Sequence, residues 1–79
     1  MEYAKSIVLL ATTLGAAIVV IAAAIGIGKL GSTSVESIAR QPEAGKQIRG
    51  AMLITAALIE GIALFALVLC FLIQNKISF

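Results

Sequence analysis

The chain contains no histidine, one cysteine, one proline and only ten charged residues among 79. Without histidine there is no catalytic triad of the usual kind and no imidazole metal site. Cys70 has no second cysteine to pair with, so it forms no internal disulfide and packs as a small apolar side chain. The shortage of charge excludes more. With 61% hydrophobic residues, the chain cannot cover itself with the polar surface that a soluble domain of this length needs. Its six basic residues lie at the borders of apolar runs, where they can snorkel, which argues against nucleic acid as a partner. Gly26-Ile27-Gly28 is not a phosphate loop, because no strand precedes it and no GKS or GKT follows. No catalytic residue and no cofactor are expected.

What the sequence does contain is two long apolar runs. Residues 6–28 are 23 positions without a charge, and residues 51–73 are another 23 interrupted only by Glu60. As a helix, each run is long enough to cross a hydrocarbon core of about 30 Å. The expected fold is an all-α membrane protein, one transmembrane helical hairpin over residues 1–79. Helix 1 is expected over about 5–39, the connection over about 40–42 and helix 2 over about 42–75. A cleaved signal peptide explains the N-terminal run less well. The run is too long for a signal core, and cleavage would strand one helix carrying an unpartnered acid.

Val35, Ile38 and Ala39 continue the apolar pattern of helix 1 past Lys29, so helix 1 should outrun the bilayer. Residues 6–39 would reach about 50 Å at 1.5 Å per residue. The turn falls at Arg40-Gln41-Pro42. Gln41 precedes proline and is pushed away from helical angles. Pro42 suits the first turn of a following helix, and Glu43 sits near its positive end. Lys29, Arg40, Lys46 and Arg49 lie in or beside the connection, against Lys5 and Lys76 in the tails. The positive-inside rule then puts the connection in the cytoplasm and both termini on the other side of the membrane. Tyr3, Phe71 and Phe79 are candidate interfacial anchors, and Lys29 either snorkels to the border or meets anionic lipid headgroups.

Glu60 is the candidate functional residue. Ten uncharged residues precede it from Gly50 and fifteen follow to Asn75. A charge at such a depth costs a few kcal/mol (~2.5–3.5) on insertion scales, so an acid there faces a protein interior or an ion pathway. Its neighbours on the helix face are Leu53, Ala56, Ala57, Ala63, Leu64 and Leu67, and none can neutralise it. Dry surroundings favour the protonated, neutral carboxyl. A carboxyl that alternates between a dry place and a wet one beside a partner's arginine is a proton carrier. An acid held only for interhelical packing would want a polar partner at this depth in helix 1, and none is evident. Thr12 and Thr13 lie nearer the far side; hydroxyls such as theirs, and that of Thr55, can bond a carbonyl one turn back.

Small residues on helix 1 fall into two sectors at 100° per residue. Ala11, Gly15, Ala22 and Gly26 form one, and Thr13, Ala17, Ala24, Gly28 and Gly31 the other, roughly opposite. Small residues allow close helix approach in lipid. Two smooth sides fit a helix held between two like neighbours, and that contact repeated about an axis closes a ring. A simple dimer would use one side. A pore-forming hairpin would share the size and topology but needs no acid at mid-depth. A membrane adaptor would use only its cytoplasmic tip.

Three features together resemble the c subunit of F-type ATP synthases, over essentially the whole chain. The connection reads Ala39-Arg40-Gln41-Pro42-Glu43-Ala44. Helix 1 carries Ala22-x-Ala24-x-Gly26-x-Gly28, a form of the family's alternating glycine motif with two alanines. Glu60 stands 20 residues after Arg40. The resemblance implies a closed homo-oligomeric ring in a bacterial plasma membrane, first helices inside and second helices outside. Ala22, Ala24, Gly26 and Gly28 would pack the ring. Arg40, Gln41 and Pro42 would face the central-stalk subunits. Glu60 would exchange its ion against the stator a subunit and its arginine, with membrane lipids around the assembly. Such a subunit is not itself an enzyme; it moves the ion that drives ATP synthesis or follows from hydrolysis.

Sodium-binding members of this family supply a glutamine on the first helix, a hydroxyl directly after the carboxylate and a tyrosine one turn on. Here those places hold Ile27, Gly61 and Phe65. A sodium ion would lose most of its oxygen shell. The expected cargo is a proton, with Leu58 offering a backbone carbonyl to the protonated acid.

Overall fold

The computed structural model describes residues 2–77; Phe79, a candidate anchor, lies outside the described residues. Two antiparallel helices make a rod 61 × 15 × 10 Å. Helix α1 spans Glu2–Arg40 and α2 spans Gly45–Lys76, joined by a short 3₁₀ turn at Pro42–Ala44. Both helices are rich in alanine, leucine and isoleucine and carry no internal proline, so nothing interrupts the backbone ladder. Glu2 lies in the first turn of α1 and Lys76 in the last turn of α2, each at the end where its charge complements the helix dipole.

These bounds refine the expected ones. α1 begins earlier than residue 5 and runs through Arg40. Pro42 does not open an α-helix; it opens the 3₁₀ turn, and α2 starts at Gly45. The reason lies in the hydrogen bonds of the reversal. The Ala44 N–H donates to the Gln41 carbonyl at 2.9 Å and the Gly45 N–H to the Pro42 carbonyl, which are tight i→i+3 links. Gln41, at φ −135° and ψ 72°, is the only residue between helix and turn; its backbone has left the helical region, which the following proline disfavours. Its N–H still donates to the Ser37 carbonyl at 2.9 Å.

Half-buried residues recur at three- and four-residue steps along one face of each helix: Thr12, Gly15, Val19, Ala23, Gly26 and Leu30 on α1, and Met52, Ala56, Ile59, Ala63, Ala66 and Cys70 on α2. This is the spacing of one continuous helix face, and the two faces meet in an antiparallel seam. The seam is tightest near the turn. Gly45 is buried, and a Cβ built on it would lie 3.5 Å from Ile38 Cγ2; Ser34 is buried one turn below Ile38.

Apart from Ser34 and Gly45, no described residue is buried, and none of the large apolar side chains is. Both helices are long and apolar enough to cross a membrane. An apolar rod without an interior of its own finds its stable surroundings in lipid and in neighbouring proteins.

Candidate functional site

Glu60 occupies the middle of α2, with 15 residues of the helix before it and 16 after. Its side chain is exposed on the single hairpin. It borders a groove of about 670 Å³ between the helices, lined by Val20, Ala24, Ile27 and Gly28 of α1 and by Gly61 and Leu64 of α2, among others. Every other lining side chain is apolar. The carboxylate forms no hydrogen bond or ion pair with any described residue. The site is therefore a lone acid facing empty, greasy space.

A second groove of about 310 Å³ opens on the other side of the seam, lined by Val19, Ala22, Ile59, Ile62 and Ala66. Ala23 and Ala63 belong to both grooves and form the floor between them. The two rows of small residues on α1 thus reach two separate clefts. Ala24 and Gly28 line the cleft of Glu60, and Ala22 lines the opposite one. Gly26 belongs to the row of Ala22 but lines neither cleft. It is turned into the seam, where a Cβ would meet Ile59 Cδ1 at 3.8 Å. Gly28 and Gly31 meet nothing within 4 Å, so their smallness serves no contact inside one hairpin.

Of the residues expected around the acid, Ile27 and Gly61 share its groove. Leu58 and Phe65 do not; both are exposed on the outward side of α2, and Glu60 bonds no carbonyl within the hairpin. Leu58 is two residues from Glu60, which turns it some 160° round the helix. Arg40, Gln41 and Pro42 are exposed together at the tip of the rod.

The hydroxyl bonds follow expectation at two positions. Thr12 Oγ1 donates towards the Val8 and Leu9 carbonyls at 3.0 and 3.1 Å, and Thr55 Oγ1 donates to the Ala51 carbonyl at 2.9 Å. One further contact was not anticipated. Gln74 Nε2 donates to Thr12 Oγ1 and to Thr13 Oγ1, both at 3.1 Å, and ties the outer ends of the helices together. The signal was present: a chain that reverses at Gln41 brings residue 74 opposite the start of α1.

Residues 10–73 match the family model of the ATP synthase C subunit. The chain belongs to the family of ATP synthase c subunits. It is 59% identical over 63 residues to the ATP synthase c subunit of Phocaeicola vulgatus, covering 80% of this chain and 75% of the relative. It is 55% identical over 64 residues to the ATP synthase c subunit of Bacteroides thetaiotaomicron, covering 81% and 75%. A mitochondrial relative, ATP synthase subunit 9 of Nicotiana tabacum, is 50% identical over 61 residues, covering 76% and 82%. No solved structure matches the chain significantly. As a member of this family the chain is the rotor proteolipid in the membrane sector of ATP synthase, one component of that enzyme complex.

Proposed function

We propose that Glu60 is the group that takes up and releases the transported ion, and that the ion is a proton. The observation that carries this reading is the unpartnered carboxylate at the midpoint of α2, beside a groove lined otherwise by apolar side chains. In lipid such an acid is stable only when neutral, and it becomes a carrier when motion brings it to water or to a cation. Ile27 and Gly61 beside it, and Phe65 one turn on, offer no side-chain oxygen, which supports a proton over sodium.

The hairpins stand side by side in a closed ring, α1 inside and α2 outside. Each neighbour fills the clefts that Ala22 on one side and Ala24 and Gly28 on the other leave open. The stator a subunit presents its arginine to Glu60 as the ring turns. The tip with Arg40, Gln41 and Pro42 meets the central stalk in the cytoplasm, and both termini lie on the other face of a bacterial plasma membrane. The hairpin performs no bond chemistry itself. It converts a potential worth about 2.3 kcal/mol per charge per 100 mV into rotation.

A hydrophobic carbodiimide, which reacts with protonated carboxyls in lipid, tests this. Labelling of the purified assembly should fall on Glu60 and be indifferent to sodium. Protection by millimolar sodium would overturn the proton assignment; label spread over Glu2, Glu36 and Glu43 with Glu60 spared would overturn the site.

A further inference from the structure

The two helices turn bulky apolar stripes away from each other, and these stripes sit at different heights. On α1, Ile7, Leu14, Ile18, Ile21 and Ile25 are exposed on one line, roughly 140° round from the seam. On α2, Ile54, Leu58, Phe65, Leu69 and Leu72 form the outward line. Each stripe covers 18 residue steps, about 27 Å, close to the thickness of a hydrocarbon core. Three contacts fix their relative height: Ile38 against Gly45, Gly26 against Ile59, and Thr12 and Thr13 against Gln74. By that register the α2 stripe spans the levels of about residues 31 to 14 of α1, whereas the α1 stripe spans 25 to 7, an offset of about 10 Å towards the termini.

The α1 stripe ends on a cation of its own flank, Lys29, whereas Arg49, the first cation beyond the α2 stripe in sequence, is turned about 140° from Ile54 towards the side of Glu60. One flat lipid layer cannot suit both faces, because the mismatch carries a cost for every ångström. The closed ring of the proposed function, on which this inference rests, separates them into two lipid bodies.

Lys29 is exposed, and it has no ion pair or hydrogen bond with any described residue. It follows Ile25 by one turn, and the exposed Ser32 hydroxyl lies one turn further on. Glu36, the nearest acid along this flank, is two turns away, about 10 Å, beyond contact range. We infer that this face of α1 holds an anionic phospholipid, its acyl chains along Ile18, Ile21 and Ile25 and its headgroup phosphate on the Lys29 ammonium. Charge complementarity selects the headgroup: an uncompensated cation at the edge of an apolar stripe attracts net negative lipid. The lipid inside the ring would then lie nearer the termini than the bilayer outside.

The test is native mass spectrometry of the whole assembly, extracted in mild detergent from membranes containing phosphatidylglycerol and phosphatidylethanolamine. The wild type should retain phosphatidylglycerol in preference. Lys29→Gln should retain about fivefold less, the change expected for one basic residue at an anionic surface. Lys29→Arg and Lys76→Gln should retain as much as the wild type. Equal retention by Lys29→Gln, or no preference for phosphatidylglycerol in the wild type, would overturn the inference while leaving the ring intact. The same spectra give the number of hairpins per assembly, and a monomeric chain would overturn both the ring and the lipid seat.

Discussion

Gly26 of α1 faces Ile59 of α2, with the Ile59 Cδ1 3.8 Å from the place where a Cβ on Gly26 would stand. Glu60 follows Ile59 directly, so this contact sets the height of the acid against α1. The space admits a methyl group and little more. Gly26→Ala should therefore be tolerated, and should gain roughly 0.5–1 kcal/mol of helix propensity. Gly26→Leu should force the helices apart at a cost of about 1–3 kcal/mol. Thermal dissociation of the purified assembly measures both, and the alanine and leucine variants should shift in opposite directions.

Gly28 faces open space in the single hairpin but lines the cleft beside Glu60. Gly28→Leu should leave the hairpin helical by circular dichroism and prevent assembly into large oligomers on size exclusion. An assembly unchanged by this substitution would mean that the cleft is not a contact between neighbouring hairpins.

Glu60→Gln should remove carbodiimide labelling and reduce ATP-driven proton pumping to background, with ring assembly preserved. In the wild type the reagent needs the protonated acid, so labelling should slow as pH rises. Labelling rates followed across a pH series give the sign directly; rates that climbed with pH would contradict a neutral resting carboxyl.

The Gln74 amide, shared between Thr12 and Thr13, is a polar tie at the outer end of the seam. Interhelical hydrogen bonds of this kind in membranes average about 0.6 kcal/mol and reach about 1.7. Gln74→Leu should destabilise the hairpin by that order. A double-mutant cycle with Thr12→Val and Thr13→Val should return a coupling energy of the same size, and strict additivity would show that the bonds carry no weight.

Arg40→Ala, at the exposed tip, should leave assembly and Glu60 labelling intact and uncouple proton flow from ATP turnover. Comparing ATP hydrolysis with pumping in the same vesicles separates those effects.

Much of this was legible beforehand. The two apolar runs fixed the number of helices, the dipeptide Gln41-Pro42 located the reversal, and Glu60 stood out because a charge in lipid has few uses. Less legible were features that depend on which face each helix turns inward. The two sectors of small residues are visible in the sequence, but that Gly26 also faces Ile59 across the seam depends on the rotation of α1. Leu58 and Phe65 were assigned to the acid's surroundings by analogy of position, whereas on one hairpin the helical turn carries them round to the outward face. The Gln74 tie needed the register of both helices, which neither run states alone.

At the tip a single residue, Gln41, stands between helix and turn, its N–H bonded to the Ser37 carbonyl and its carbonyl to the Ala44 N–H, and a second i→i+3 link from Gly45 to Pro42 closes directly behind it. The two helices of each hairpin are thus joined by a short hydrogen-bonded turn and not by a long loop.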